Sequence, residues 1–267
     1  MLVVFLVFMS VLGAVLGSFA CCQARRLHSK EKGAKIASKW SICESCHKRL
    51  KWYENIPIFS WLFLRGHCKK CHQKIGFTEF FSELGLAIVF LALGLKFWPS
   101  LSSLNSPFPF ISLILLVVIL TTMTICFIYD ALWGCFPSFI LYILLALSTI
   151  FLVLEYISGT KIELVSLLAG IGILPGIYYL LYFFSKEKLV GSGDWLLCLS
   201  LALILHNFWL CFFVLFLSNF LAVLIQLPVT IISKKKSHQF PFGPFLIIAF
   251  LAVYLASEFL VQIGIII

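Results

Sequence analysis

Apolar runs as long as a lipid bilayer is thick recur along this chain from its first residues to its last. A bilayer core of about 30 Å requires roughly 20 consecutive apolar residues per helix. Backbone groups inside lipid must pair within their own segment, so runs of this kind form helices. The composition agrees, since 62% of the residues are hydrophobic and 12% are charged, against about half and about a quarter in soluble domains. We therefore predict an all-α polytopic membrane protein.

The apolar runs predict eight transmembrane helices, the sixth of which is shorter than the others. This short helix is separated from the next one only by His206 and Asn207, two polar residues within a long apolar stretch. We interpret the first run as a span and not as a secretory signal, because no basic segment precedes it and no cleavage site is evident. The predicted spans cover residues 2–22, 79–98, 110–128, 136–156, 164–184, 193–206, 208–232 and 244–266.

Basic residues are concentrated in a few loops. Thirteen of the twenty Lys and Arg residues lie in the segment 25–77, and Lys186, Lys188 and the run 234–236 contain most of the others. Cytoplasmic loops of membrane proteins retain Lys and Arg, which explains the formal net charge of +9 better than binding to nucleic acid does. We expect the N-terminus to lie outside the cell. The segments expected on the cytoplasmic side are 25–77, 129–135, 185–192 and 233–243.

The segment 25–77 is the one sizeable polar piece of the chain, and it is too short to build a strong hydrophobic core unaided. It contains two C-x2-C pairs, Cys43 with Cys46 and Cys68 with Cys71, separated by 21 residues. This spacing is typical of a four-thiolate zinc ribbon. We therefore predict a structural zinc site that stabilises the segment.

The cytoplasmic location favours metal over disulfide chemistry, because that compartment keeps thiols reduced. A redox role of the two pairs, as in a membrane thiol oxidoreductase, is the alternative. The remaining cysteines lie in or beside apolar spans and are expected to be small buried hydrophobic residues. They are Cys21, Cys22, Cys126, Cys135, Cys198 and Cys211. The chain then divides into a first transmembrane helix at 1–24, a zinc-binding domain at 25–77 and a transmembrane bundle at 78–267.

The chain contains only two aspartates, and each lies at the edge of an apolar span. Asp130 follows the third span and Asp194 begins the sixth, so the predicted topology puts both on the cytoplasmic side. Ionised groups at membrane depth are costly and are usually retained for function. Two neighbouring carboxylates can share a proton, so one activates water as a base while the other protonates the leaving amine. This pairing indicates an aspartyl peptidase.

Gly191 and Gly193 precede the second aspartate and support this prediction, because residues without side chains allow close approach of an extended peptide. An aspartate at a helix start can also serve only as a cap or as a favourable charge on the helix dipole. Glutamates compete for the catalytic role. We interpret Glu79 and Glu83 as supporting residues and Glu258 as facing the bundle or the outer interface.

Five ordered motifs cover nearly the entire chain. They are GSF at 17–19 with Arg26, the two C-x2-C pairs together with ENIPIFSWLFLRGHCKKC at 54–71, Asp130 with Pro137, GSGD at 191–194, and PFGP at 241–244. Through these motifs the sequence resembles the type IV prepilin peptidases, also called prepilin leader peptidase/N-methyltransferases, a family of GxGD aspartyl membrane proteases.

The resemblance implies that Asp130 and Asp194 are the catalytic pair. It implies that the substrates are prepilins or pseudopilins, whose basic leader is cleaved after a glycine at the cytoplasmic face of the bacterial inner membrane. It also implies that the new N-terminal residue is methylated with S-adenosylmethionine. In the family this second activity goes with the cysteine-bearing cytoplasmic domain, which this chain retains.

The chain departs from the family pattern in three places. Residues 20–22 lack the usual Asn, Leu196 stands where Lys is common, and Ser138 replaces an acidic residue. None of these changes removes a catalytic carboxylate or a zinc thiolate. The departures bear more on methylation than on cleavage, so one alternative function is a peptidase without methyltransferase activity. A non-enzymatic channel or assembly scaffold is another alternative.

Overall fold

The fold was obtained as a computed structural model, which describes residues 1–31, 41–43, 45–46, 48–102, 106–186, 190–233 and 241–262. Lys188 and the basic run 234–236, on which part of the predicted topology rests, lie outside these described residues. The orientation of the chain across the membrane therefore stays a prediction.

The described residues form α-helices and contain no β-strand. Eight of the helices coincide with the predicted spans, which confirms the all-α fold. One further α-helix, α2, has five residues, and a short 3-10 helix spans Trp52–Asn55; both lie within the polar segment. The helices are α1 (Leu2–Glu31), α2 (Phe59–Phe63), α3 (Phe77–Ser102), α4 (Phe108–Trp133), α5 (Ser138–Ile157), α6 (Leu164–Ser185), α7 (Ser192–Leu205), α8 (Phe208–Ser233) and α9 (Gly243–Gln262).

The short helix α7 ends at the predicted position. It stops at Leu205, and α8 begins at Phe208 after a residue in the left-handed conformation, His206, with a φ of 39°. Within the described part of the chain, seven helices are long and apolar enough to cross a membrane. In contrast, α7 has 14 residues, so it is about 21 Å long and shorter than a bilayer core of about 30 Å. The prediction of about eight membrane helices, one of them short, is confirmed.

The chain divides into two compact units, Met1–Ser103 and Leu104–Ile267. The first unit contains helices α1 to α3 and the cysteine-bearing segment, and the second contains helices α4 to α9. The domain boundaries after residues 24 and 77 refer to segments of the sequence, and they stay a prediction.

Helix α1 packs closely against α3 in the first unit because two of its residues have no side chain. A Cβ at Gly13 would lie 2.5 Å from the carbonyl oxygen of Leu86, and a Cβ at Gly17 would lie 2.5 Å from the carbonyl oxygen of Ser82. Small residues spaced four apart are typical of helix pairs that approach closely in membranes. The two glycines therefore set the distance between α1 and α3.

The cysteine-bearing segment contacts α3 of the same unit through an aromatic cluster and a hydrogen bond. The ring of Trp61 packs on Phe77 and Phe80 with centroid distances of 5.3 and 4.9 Å. The backbone N–H of Ile58 donates a hydrogen bond to the buried carboxylate of Glu83 at 2.6 Å. Ile58 has a φ of 64°, which is rare for a β-branched residue. Glu83 thus acts as the acceptor that holds this strained turn on α3.

Polar contacts define one end of the second unit. Glu155 of α5 accepts hydrogen bonds from Ser112 of α4 and from Thr160, each at 2.9 Å. The N–H of Phe208 donates to Ser166 of α6 at 3.0 Å. The starts of α4, α6 and α8 therefore lie at the same end as the end of α5. Successive helices run in opposite directions. The end of α4 and the starts of α5, α7 and α9 therefore lie at the opposite end of the second unit.

We expect Gly13→Val to force α1 and α3 apart, because the added side chain would meet backbone atoms of Leu86 and Ala87. Overpacking of this kind costs about 1–3 kcal/mol, so thermal unfolding in detergent should occur at a lower temperature. Gly85→Val is the matched control, since a Cβ at Gly85 meets nothing within 4 Å. Equal unfolding temperatures for the two variants would contradict the close packing of α1 on α3.

Candidate active site

The structure brings the four predicted zinc ligands together in the first unit. The Sγ atoms of Cys43, Cys46, Cys68 and Cys71 all lie within 4.8 Å of one another, and those of Cys43 and Cys71 are 3.8 Å apart. A zinc ion bound at about 2.3 Å in a tetrahedron separates its sulfur ligands by about 3.8 Å. Among the described residues no other cluster of three or more metal-ligand side chains occurs. The cluster therefore fits a tetrahedral metal ion.

Each C-x2-C pair occupies a tight turn closed by a backbone hydrogen bond. The N–H of Cys43 donates to the carbonyl of Lys48 at 3.0 Å, and the N–H of Cys68 donates to the carbonyl of Gln73 at 2.9 Å. Gly66 begins the second turn with a φ of 66°, a conformation that glycine adopts without steric cost. Two similar turns thus present their sulfur atoms to each other.

Hydrogen bonds from backbone N–H groups favour the thiolate form of Cys68 over its thiol form. Backbone N–H groups of Cys71 and Lys70 lower the pKa of the Cys68 thiol to about 6. At Cys71 the backbone N–H of Gln73 also favours the thiolate, but desolvation and hydrogen bonds shared with the other three thiols raise the pKa to about 11. Four thiolates therefore require the charge of a cation to coexist.

Asp130 lies in the last turn of α4, which continues to Trp133 instead of ending near residue 128 as predicted. The residue is 3% exposed. Its Oδ2 accepts the backbone N–H of Gly243, the first residue of α9, at 2.9 Å. A helix N-terminus has unpaired N–H groups and a partial positive charge, so it stabilises a carboxylate. Asp130 thus caps α9 from α4.

Asp194 is the third residue of α7 and is 8% exposed. Its Oδ2 accepts the backbone N–H of Gly191 at 3.0 Å, as an acidic residue does in a capping box. A role as a helix cap therefore accounts for the burial of Oδ2, which has a hydrogen-bond donor. It does not explain Oδ1, which is buried and has no hydrogen-bond partner among the described residues. A buried oxygen without a partner is costly, so the role of Asp194 as a cap does not account for it.

The ring of Phe136 connects the segments that bear the two aspartates. A Cβ at Gly193 would lie 2.5 Å from Cδ2 of this ring, and a Cβ at Gly243 would lie 2.9 Å from its Cε1 and 2.8 Å from Oδ2 of Asp130. The ring therefore reaches from the neighbour of Asp194 to the residue that binds Asp130. Gly193 is the residue before Asp194, and Gly243 donates its N–H to Asp130. Both candidate catalytic residues thus lie at one end of the second unit.

Aromatic contacts support the segment that binds Asp130 and the segment that contains Asp194. Phe242, next to the residue that binds Asp130, packs on Tyr178 of α6 with a centroid distance of 5.4 Å. The Tyr178 hydroxyl in turn accepts a hydrogen bond from Nδ2 of Asn219 at 2.9 Å. On the other segment, Trp195 packs on Tyr179 at 5.4 Å. Helix α6 therefore contributes neighbouring residues to the support of both carboxylates.

The other predicted residues have different surroundings. Gly191 donates to Asp194, whereas Gly193 is approached by the ring of Phe136. Glu79 pairs with Arg25 in the first unit, and Glu258 is exposed. Phe136 and Gly243 are not among the site residues predicted from the sequence. The available signals were the Pro137 and PFGP motifs that contain or adjoin them.

The apolar helices, the two buried aspartates and the four-thiol cluster define a polytopic membrane protein with two candidate sites. Residues 11–97 match the sequence model of the bacterial peptidase A24 N-terminal domain. None of the solved structures matches the chain. The matched residues lie within the first unit and include the cysteine-bearing segment.

Known relatives extend the similarity along the chain. A prepilin leader peptidase/N-methyltransferase of Vibrio cholerae is 24% identical over 256 residues, which cover 94% of this chain and 96% of that protein. The Dichelobacter nodosus protein of the same name is 27% identical over 78% of this chain and 68% of its own length. That of Bacillus subtilis is 37% identical over 41% of this chain and 42% of its own length. The predicted resemblance to the prepilin peptidase family is confirmed, and with it the prediction of a peptidase enzyme.

Gly243→Ala is expected to lower peptidase activity by about 100-fold, since misplacement of catalytic groups by about 1 Å has effects of that size. The new methyl group would strike both Phe136 and Oδ2 of Asp130. Gly172→Ala is the matched control, because a Cβ at Gly172 in α6 meets nothing within 4 Å. Activity is measured as cleavage of a prepilin, the substrate class named for the relatives. Equal activity of both variants would show that Gly243 does not position Asp130.

Proposed function

We propose that Asp130 and Asp194 are the catalytic pair of an aspartic endopeptidase. The observation that carries this proposal is the buried, unpaired Oδ1 of Asp194, whose segment shares the Phe136 ring with the segment that binds the second buried carboxylate, Asp130. A backbone N–H fixes one oxygen of each carboxylate, from Gly243 and from Gly191 respectively. The pair is therefore held rigidly while Asp194 keeps an oxygen for chemistry.

Two such carboxylates hydrolyse a peptide bond by sharing one proton. The ionised carboxylate accepts a proton from a water molecule, which attacks the scissile carbonyl. The protonated carboxylate donates its proton to the amine that leaves. Because each carboxylate changes its protonation state during the reaction, the pair acts as one unit.

We infer that the substrate is a prepilin or pseudopilin whose basic leader is cleaved after a glycine. The names of the relatives and the five sequence motifs support this substrate class. The apolar helix of the substrate would lie in the bilayer beside the bundle, with its leader in the cytoplasm. Basic loops support a bacterial inner-membrane protein with the N-terminus outside and with the zinc domain and aspartates at the cytoplasmic face.

We further infer that the four-thiol cluster binds zinc and that the protein methylates the amine released by cleavage. The sulfur geometry supports zinc, and a closed four-thiolate site has a structural role. The relatives' names support the second activity. S-adenosylmethionine would supply the methyl group. The zinc site would keep the cysteine-bearing segment folded on α3.

Neither rival explains the site as well. A thiol oxidoreductase needs one accessible cysteine pair, whereas four thiols converge here on a single point. A channel or scaffold could use an aspartate as a helix cap, but it has no use for a buried carboxylate oxygen without a partner. Hydrolysis is the chemistry that uses both buried carboxylates.

Asp130→Asn and Asp194→Asn should each reduce prepilin cleavage by at least about 10²–10⁴-fold, the usual contribution of acid–base catalysis. Each amide keeps the shape of the side chain but cannot exchange a proton with water. The detergent-solubilised protein is incubated with a prepilin, and the product is analysed by mass spectrometry. The same spectra detect methylation as the mass of one added methyl group that depends on S-adenosylmethionine.

Glu258→Gln is the matched control for this experiment, because it neutralises an exposed carboxylate elsewhere in the second unit. It should cleave prepilin at the rate of the unmodified protein. Cleavage at that same rate by either Asn variant would refute the assignment of the catalytic pair.

Cys43→Ser should abolish most zinc binding, because a closed site requires all four thiolates. Metal analysis of the purified protein is expected to find about one zinc ion per unmodified chain and a much smaller content in the variant. Cys135→Ser is the control, since Cys135 is exposed and lies outside the cluster. Undiminished zinc content in the Cys43 variant would contradict the proposed ligand set.

A further inference from the structure

Phe136 is held in place by the connection between α4 and α5. This connection begins with Gly134, which ends α4 in the left-handed conformation with a φ of 66°. It ends with Pro137, which precedes the first residue of α5. A residue before proline is confined to extended conformations. The backbone therefore restricts the directions in which the Phe136 ring can point.

The ring fills the space between the two aspartate-bearing segments. Its Cβ, Cγ and Cδ2 atoms lie against Gly193, and its Cε1 and Cζ atoms lie against Gly243. Gly193 immediately precedes Asp194, and Gly243 donates its N–H to Asp130. Phe136 is half-buried, so part of the ring stays accessible. The ring thus lies between the two aspartate-bearing segments with part of its surface accessible.

The ring has no room to move toward Gly193 or Gly243. It already contacts the backbone of Gly193 and Gly243, and backbone atoms move less easily than side chains. Asp130 and Asp194 are only 3% and 8% exposed, so the scissile carbonyl must pass close to the ring to reach them. A ring in this position would leave less room for a Cβ on the residue before the scissile bond than for the hydrogen of a glycine.

We propose that Phe136 is the specificity-determining residue that restricts the position before the scissile bond to glycine. This inference rests on the proposed function, because it names the side chain that selects the substrate at the same pair of aspartates. The ring acts by excluding the first carbon of a larger side chain. Removing the ring should therefore relax the restriction without changing the catalytic carboxylates.

The test compares two prepilins that differ only in having Gly or Ala before the scissile bond. The ratio of kcat/KM for the Ala substrate to that for the Gly substrate is measured by mass spectrometry with the full-length protein in detergent. Phe136→Ala should raise this ratio at least about tenfold, within the range expected for one methyl group in a packed site. Phe136→Leu, which keeps part of the volume, should give a smaller increase.

Phe139→Ala is the matched control, because Phe139 lies three residues further along and is 71% exposed. Its ratio should equal that of the unmodified protein. An unchanged ratio in both Phe136 variants would overturn the inference. So would the loss of all cleavage by both variants when their unfolding temperatures are unaltered, since the ring would then serve catalysis and not selection.

The proposed function and this inference fail in different ways. If the unmodified protein does not cleave the Gly prepilin, the proposed function is wrong. If it cleaves that prepilin and the ratio does not respond to Phe136, only the role of the ring is wrong.

Discussion

The hydrogen bond from the N–H of Gly243 to the carboxylate of Asp130 is the interaction on which the second unit depends. It joins the end of α4 to the start of α9, and so brings together residues 113 positions apart in the sequence. Asp130 is 3% exposed, and a buried carboxylate needs such a partner because burial removes most of the water that would otherwise solvate it. The same bond satisfies a helix N-terminus that would otherwise have an unpaired donor. The carboxylate of Asp130 thus both joins two helices and belongs to the candidate site.

Glycines allow the closest approaches between segments in both units. Gly13 and Gly17 allow α1 to approach the backbone of α3, and Gly193 and Gly243 allow the Phe136 ring to lie between the aspartate-bearing segments. Little hydrophobic force acts between helices inside lipid, so close packing has to provide the attraction. Glycines in this protein therefore determine where helices and loops touch.

The two units have different candidate chemistry. The first contains the four-thiol cluster, tied to α3 through Trp61 and through the bond from Ile58 to Glu83. The second contains both aspartates. The four-thiol cluster and the aspartates thus belong to different units of the chain. The similarity to prepilin leader peptidase/N-methyltransferases extends over both units.

The sequence by itself determined the membrane class, the positions of the helices, the break at His206 and the grouping of four cysteines. These follow from local properties, namely apolar length, polar interruptions and ligand spacing. It also indicated both aspartates, because no others exist in the chain. Only the tertiary structure decided that Gly243 binds Asp130, that Oδ1 of Asp194 is left without a partner and that Phe136 lies beside both. Such contacts join residues far apart in the chain, and their distances depend on how whole helices pack, which no local pattern specifies.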